Sequence, residues 1–362
     1  MPVTEAQVRQ ALTSVVDPDL HRDIVSLGFV KAVEIVGGKV NVRIELTTPA
    51  CPVKDQLKAQ AEEAIRRVPG VTSVVAEMTA NVKGNGRLPM AGDPAPQVKN
   101  FIAVGAGKGG VGKSTVAVNL AIALRQTGAS VGLMDADVYG PSIPKMLGNE
   151  RRPEAIDDKH VKPNEAHGLK MMSMGLVLDP NKAVVWRGPI VHTAIRQFLA
   201  DVVWGPLDYL VIDLPPGTGD VPLSLAQTVP VTGAVVVCTP QDVALLDVKK
   251  AVGMFRTLKI PILGLVENMS FYACPSCGHR DDIFGHGGAE AYARSEGIPF
   301  LGGIPLHAQV RVGGDAGMPA SIDPKAPEAV KAAFRTVANE LARQVSILNL
   351  AKPVTGTLEV TG

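Results

Sequence analysis

Residues 107–115 read Gly-Lys-Gly-Gly-Val-Gly-Lys-Ser-Thr. The run satisfies G-x-x-x-x-G-K-[ST], the loop that wraps nucleotide phosphates. Gly107, Lys108, Gly109, Gly110, Val111, Gly112, Lys113, Ser114 and Thr115 are therefore the expected nucleotide cradle. Glycines let the backbone curl so that several N–H groups face one anion. A helix beginning near Lys113 adds the positive end of its dipole. Lys113 then reaches the β- and γ-phosphates of ATP, and Ser114 offers its hydroxyl to Mg2+. Lys108 is a second lysine, directly after the first glycine.

Two acidic stretches suit the same chemistry. Leu133–Gly140 carries Asp135 and Asp137 behind a short apolar run. At a strand end both carboxylates lean toward the phosphates. One can hold Mg2+ through water and the other can orient the attacking water; the bland alternative is a cap or turn carboxylate. Asp208–Gly219 carries Asp213 at the end of an apolar run, the form of a Walker B acid near Mg2+. Pro215-Pro216-Gly217 then makes a stiff turn, expected to bring the Gly217 amide near the γ-phosphate and to switch between nucleotide states. Val266-Glu267-Asn268-Met269 ends another apolar run. The Asn268 amide can read an adenine edge, although Asn at a strand end is commonly a turn residue.

Cys274-Pro275-Ser276-Cys277-Gly278-His279 offers different chemistry. A C-x-x-C in a loop turns two thiolates toward one soft metal ion or cluster. It is half a site, and the other half is expected from the same loop of a second subunit on a two-fold axis. His279 and His286 are further donors unless simply solvated. A thioredoxin-like redox pair is the rival, but its βαβ context is missing. Cys51, in Thr47-Thr48-Pro49-Ala50-Cys51-Pro52, sits at the mouth of a helix. It is either reactive or ligating, because a helix N-terminus lowers a thiol pKa, or a small buried residue. Cys238, in an apolar run, reads as core, and Met171, Met172 and Met174 read as core filling.

Several elements must position these residues. Asn100–Gly105 precedes the glycine loop as a buried parallel strand should, and Thr115–Arg125 has helical spacing up to Gly128. Further strands are expected at Val131–Met134, Tyr209–Ile212, Ala234–Cys238, Ile262–Val266 and Leu301–Ile304, with a long helix from Pro327 to Leu350. The alternation predicts an α/β fold: a mostly parallel sheet covered by helices on both faces, with ligands at the strand carboxyl ends. Residues 1–82 read as a small separate α+β domain. Thr4 caps a helix to about Val16, strands Gly28–Val36 and Lys39–Leu46 flank Gly37-Gly38, a helix covers Val53–Val68, and a strand covers Val71–Thr79. Residues 83–99 are a Gly/Pro-rich flexible linker, 100–350 an ATPase domain and 351–362 a tail.

Composition limits the function classes. The chain of 362 residues has room for two or three domains. A net charge of +1 and 4% aromatic residues argue against a nucleic-acid binder. No apolar run approaches the roughly 20 residues that span a bilayer. The first residues lack the basic and apolar regions of a secretory signal. Four cysteines are too few for a disulfide scaffold, so a reducing cytoplasm is expected.

The glycine loop with its early lysine resembles the deviant Walker A of the MinD/ParA class of dimeric ATPases. Together with Asp-Ala-Asp-Val-Tyr-Gly-Pro-Ser (135–142), Asp-Leu-Pro-Pro-Gly-Thr-Gly-Asp (213–220), Glu-Asn-Met-Ser (267–270) and Cys-Pro-Ser-Cys (274–277), it resembles the Mrp/ApbC family of iron–sulfur cluster carriers over about 100–345. Ile304-Pro305-Leu306 and Asp315-Ala316-Gly317-Met318-Pro319 fit the same pattern. Residues 1–82 resemble the small PaaD-like domain often fused ahead of it. The resemblance implies a P-loop NTPase fold and ATP with Mg2+ as cofactors. It implies that Lys108 contacts phosphates, often across the dimer, and that Asp137 positions or activates water. It also implies that Asp213 supports Mg2+ and that Asn268 contacts adenine. Cys274 and Cys277 of two subunits would hold one bridging [4Fe–4S] cluster, passed to apo-proteins with slow ATP turnover. A homodimer through the nucleotide face and the C-x-x-C loops is implied as well, with neither nucleic acid nor membrane as partner. A zinc-clamped ATPase, a partitioning ATPase and a metabolic kinase are the competing readings.

Overall fold

The computed structural model describes residues 2–84, 93–138, 140–177, 188–274 and 276–351. The segment 85–92 of the expected linker and 352–362 of the expected tail lie outside them. Contacts divide the chain into two units, and Ser346–Pro353 groups with Met1–Lys83.

In the small unit, α1 (Glu5–Leu12) begins on Thr4, whose hydroxyl accepts from Gln7 N while the Gln7 side chain accepts from Thr4 N. This capping box contributes about 1 kcal/mol. The helix stops earlier than expected, because β1 (Val16–Asp17) pairs antiparallel with β2 (Arg22–Asp23). β3 (Val30–Val36) and β4 (Lys39–Leu46) form the expected hairpin. α2 (Lys54–Arg66) then crosses to β5 (Ser73–Ala80), which pairs parallel with β4. Val40, Val42, Ile44 and Leu46 alternate inward from β4 onto Leu57, Ala61 and Ile65 of α2. Period 2 therefore meets period 3.6 in one small core.

The large unit holds β6 (Phe101–Gly105), α3 (Lys113–Gln126), β7 (Val131–Asp135) and the short α4 (Ile143–Met146). Next along the chain are β8 (Asn164–Ala166), β9 (Leu169–Ser173), α5 (Gly188–Ala200), β10 (Tyr209–Asp213) and α6 (Asp220–Thr228). After them come β11 (Gly233–Cys238), α7 (Asp242–Thr257), β12 (Ile262–Ala273), β13 (Arg280–Asp281) and α8 (Gly288–Glu296). β14 (Phe300–Leu306), α9 (Ala308–Asp315) and α10 (Glu328–Ala351) as far as Val345 complete it. One nine-stranded sheet runs β13-β12-β11-β6-β10-β7-β9-β8, with β14 also on β12. All pairings are parallel except those of β13 and β8. β6, β7, β10 and β11 are buried along their whole length, as strands covered on both faces must be.

Two features depart from the expected pattern. β8 and β9 extend the sheet beyond β7, and Met171 and Met172 are buried in β9. Their run is short and mixed in polarity, so no strand was expected there. β12 continues to Ala273, and Asn268 lies within it rather than at its end. Within the expected linker, Lys99 N donates to Leu207 O and Leu207 N to Gln97 O.

Candidate functional site

The glycine loop leaves the carboxyl end of β6, near the middle of the sheet, and runs into α3. Gly112 is the N-cap of α3 with φ +79°, and a Cβ there would collide with Asn268 Nδ2. A Cβ on Gly107 would collide with the carbonyl of Asp247 on α7. At Gly109 and Gly110 a Cβ would instead meet open space. Lys108 is half-buried, and no acidic side chain pairs with it among the described residues.

Beneath the loop, the three strand ends bring the acids together. β10 pairs with both β6 and β7, and its Asp213 stands in register with Asp135. Asp213 is fully buried, and Lys113 Nζ lies 2.6 Å from its Oδ1. The same ammonium is 3.8 Å from Asp137 Oδ2 and 3.3 Å from Ser114 Oγ. Burial pushes the Asp213 carboxyl up, and the Lys113 ammonium opposes that. The Oδ2 of Asp213 is buried with no hydrogen-bond partner, an acceptor that a cation or water would satisfy. Asp135 accepts from Asp137 N, Ile143 N and Ser173 Oγ. Burial, then the Asp213 charge, raise its pKa to about 7. Lys113, Ser114, Asp135, Asp137 and Asp213 thus form one constellation, in which the Asp213 carboxylate and the Ser114 hydroxyl are hard oxygen donors of the kind Mg2+ takes.

Gly217 lies beside the loop with φ +87°, and its N–H donates to Ala106 O at 3.0 Å. Contact of this amide with a phosphate requires that bond to open. Asn268 Nδ2 donates to Val111 O at 2.8 Å. It also lines a cavity of about 330 Å³ with Gly112, Thr115, Pro305, Leu306 and Val310. The lining is mixed, with Met146 and Met269 adding apolar surface and His307, Arg311 and Asp315 adding polar and charged groups.

The cysteine pair occupies a different place, the turn between β12 and β13. Tyr272 pairs with Asp281 and Ala273 with Arg280. The turn closes with Cys274 N donating to His279 O and Gly278 N to Cys274 O. N–H groups of Ser276 and Cys277 hold the Cys274 thiol below its usual pKa, and the Cys277 side chain adds to this. Cys277 is exposed. Among the described residues, no group of three or more His, Cys, Asp or Glu is placed to hold a metal ion. His286 Nδ1 is taken up at 2.9 Å from Ser270 Oγ.

The remaining cysteines differ. Cys51 is half-buried beside the small unit's core, and burial pushes its thiol up rather than down. The lowered pKa expected at a helix mouth is therefore not what this site produces, because desolvation outweighs it. Cys238 is buried with its thiol pushed up to about 12.

Residues 97–342 match the family model described as NUBPL iron-transfer P-loop NTPase, and residues 5–76 match the one described as iron-sulfur cluster assembly protein. The chain belongs to the NUBPL iron-transfer P-loop NTPase family. Its relatives include the iron-sulfur cluster carrier protein of Deinococcus radiodurans, 51% identical over 95% of this chain and 96% of that protein. The Escherichia coli iron-sulfur cluster carrier protein is 42% identical over 94% of this chain and 92% of its own length. A nucleotide-binding protein of Archaeoglobus fulgidus, solved with ADP, matches with a TM-score of 0.55 and 42% identity. That match covers 61% of this chain and 87% of the other. Family membership makes the large unit a P-loop NTPase built around the β6–α3 loop. Among the described residues, no helix is long and apolar enough to cross a membrane.

Some residues at the NTPase site had no assigned role in the sequence. Ser173 holds Asp135 from β9, a strand that periodicity did not signal. Asp247 walls the loop at Gly107 from α7. Away from the NTPase site, Glu267, legible only as part of a motif, is fully buried, its carboxylate accepting from Gly287 N and Ala289 N at the start of α8.

Proposed function

We propose that the chain binds ATP with Mg2+ at the glycine loop and carries a [4Fe–4S] cluster between the Cys274 and Cys277 pairs of two copies, passing it to apo-proteins. The observation that carries this reading is the half-site: an ordered thiol pair with no further ligand group among the described residues. Iron–sulfur clusters usually take four thiolates, so two hairpins complete one another. The names of the relatives support iron–sulfur carriage.

In this reading, Gly107–Thr115 cradle the phosphates and Lys113 leaves Asp213 to reach the β- and γ-oxygens. Ser114 and Asp213 would hold Mg2+, with Asp135 next to Asp213 in the sheet. The metal would neutralise developing phosphate charge. Asp137 orients the attacking water. Lys108 contacts phosphate from either subunit, and Asn268 turns its amide from Val111 O to adenine. Gly217 releases Ala106 O when the γ-phosphate arrives, which makes it the switch element. Turnover is slow, and the protein works in the cytoplasm. The division into a small domain (1–82), a linker (83–99) and an ATPase domain (100–350) with a tail (351–362) belongs to the same proposal.

Anaerobic reconstitution with iron and sulfide tests it. We expect a [4Fe–4S] Mössbauer signal near one cluster per dimer, absent from the Cys274→Ala/Cys277→Ala variant. Tightly bound zinc in place of any cluster would overturn the carrier reading.

A further inference from the structure

The cysteine hairpin is carried by β12, and β12 is not regular. It pairs with β11 only as far as Glu267. Along β14, the pairs Asn268↔Ile304 and Tyr272↔Leu306 are successive, so β12 advances four residues while β14 advances two. The extra residues form a bulge, which bends a strand and re-aims the residues beyond it. Met269, inside the bulge, has φ +57°. A left-handed methionine costs about 1 kcal/mol and persists only where its surroundings enforce it.

Glu267 supplies that enforcement. Its carboxylate is fully buried. Oε1 accepts from Ser270 Oγ at 2.6 Å and Gly287 N at 3.0 Å, and Oε2 accepts from Ala289 N at 2.9 Å. Gly287 is the N-cap of α8, which has no side-chain cap of its own. The carboxylate therefore ties the bulge to the positive end of a helix. His286 closes the outer side, with Nδ1 3.2 Å from Ser270 O and its ring edge-on to Phe271. Phe271 in turn carries the Arg280 guanidinium 4.2 Å above its ring, and Arg280 pairs with Ala273 beside Cys274. Every step from the carboxylate to the thiol turn is a packed or hydrogen-bonded contact. The neighbouring Asn268 is bonded to the glycine loop, so the run 267–274 begins at one site and ends at the other.

We infer that Glu267 is the positioning residue of the thiol pair: clamped between Ser270 and the start of α8, it fixes the bulge that aims Cys274 and Cys277. This rests on the reading of those cysteines as cluster ligands. Glu267→Gln keeps the shape but turns an NH2 group toward backbone donors that need an acceptor.

The test uses full-length protein and phenylarsine oxide, which binds two neighbouring thiols at once, with Cys274→Ala as the blank. In parallel, the half-life of the reconstituted cluster against an iron chelator, ATP affinity and the melting temperature are measured. For Glu267→Gln we expect about tenfold weaker arsenical binding and a similarly shortened cluster half-life, as for other residues that orient ligands. ATP affinity should stay near wild type, and the melting temperature should fall by only a few degrees. Arsenical binding at wild-type strength would overturn the inference. So would a loss matched by equal losses of ATP affinity and melting temperature, because that marks general destabilisation. If wild type takes no cluster but Glu267→Gln still weakens the arsenical, the positioning role stands and the carrier reading falls. Should Glu267→Gln fail to fold, Ser270→Ala removes one bond of the same clamp and must lower arsenical affinity about threefold. An unchanged value there overturns the inference too.

Discussion

In the glycine-loop region, charge is buried and answered within the chain. Lys113 meets Asp213 at 2.6 Å with both residues buried, and Asp135 is fully buried beside them. In the cysteine hairpin, the reactive atoms lie at the surface and are answered only in part. Cys277 is exposed, and Cys274 is held by N–H groups of its own turn. In the function proposed here, the first region releases electrostatic cost when an anion and a cation arrive, and the second leaves its ligand valence to a partner outside the chain. That reading gives a carrier both kinds of site: one that responds to a nucleotide, and one that lets its cargo leave.

The largest effects should separate the two regions cleanly. Replacing Cys274 and Cys277 with Ala should abolish cluster binding while leaving ATP affinity unchanged, measured by reconstitution and equilibrium titration. Lys113→Ala should do the reverse, lowering ATP hydrolysis by about 10³-fold while the apo hairpin still chelates a dithiol reagent. Cluster loss in Lys113→Ala would break the separation.

Lys113→Ala should also destabilise the nucleotide-free protein, because it strands the Asp213 carboxylate. The cost should be roughly 3 kcal/mol in urea unfolding. Alanine at Cys277, an exposed position, should change stability little. Equal costs at the two positions would contradict the contrast in burial.

Asp135 gives the buried region a pH signature. Its folded pKa is about 7 against an ordinary 3.8. Between those values the folded state keeps a proton that the unfolded state has released. Stability therefore falls as pH rises through this window and levels off above it. Asp135→Asn should remove about 4 kcal/mol of that fall, read as the difference between unfolding free energies at pH 4 and pH 8. The same slope in both proteins would show that Asp135 is not the group responsible.

The smallest effect concerns the thiols. Cys274 is lowered by its turn, whereas burial raises Cys51. At pH 7, iodoacetamide should modify Cys274 about tenfold faster than Cys51, with the Cys274 rate reaching its plateau at lower pH. Mass spectrometry of the quenched digest gives both rates. A faster Cys51 would restore the helix-mouth reading of that residue.

Much of this was legible in the residue order. The loop 107–115 and the apolar runs of β6, β10 and β11 carry short-range signals: glycine where only glycine fits, and unbroken hydrophobicity where both faces are covered. The Thr4 cap and the β3–β4 hairpin are local in the same way. β9 was not legible, because Leu169–Ser173 is a strand only through pairing with β7. The course of β12 beyond Val266 was not legible either. Its bulge is held by Glu267 reaching helix α8, a contact across 20 residues of chain.

By itself, the sequence determined that a phosphate loop precedes a helix and that two thiols lie three positions apart, because both depend on spacing along the chain. It also determined the parallel α/β layout, because alternating apolar runs and amphipathic helices can bury themselves in few other ways. Tertiary structure alone decided which charges share a pocket. Lys113 and Asp213 lie 100 positions apart and meet only because β6 and β10 are neighbours in the sheet. It also decided the character of Cys51, whose thiol is raised by desolvation within the fold, whereas the N–H donors that lower Cys274 come from Ser276 and Cys277 two and three positions along the chain.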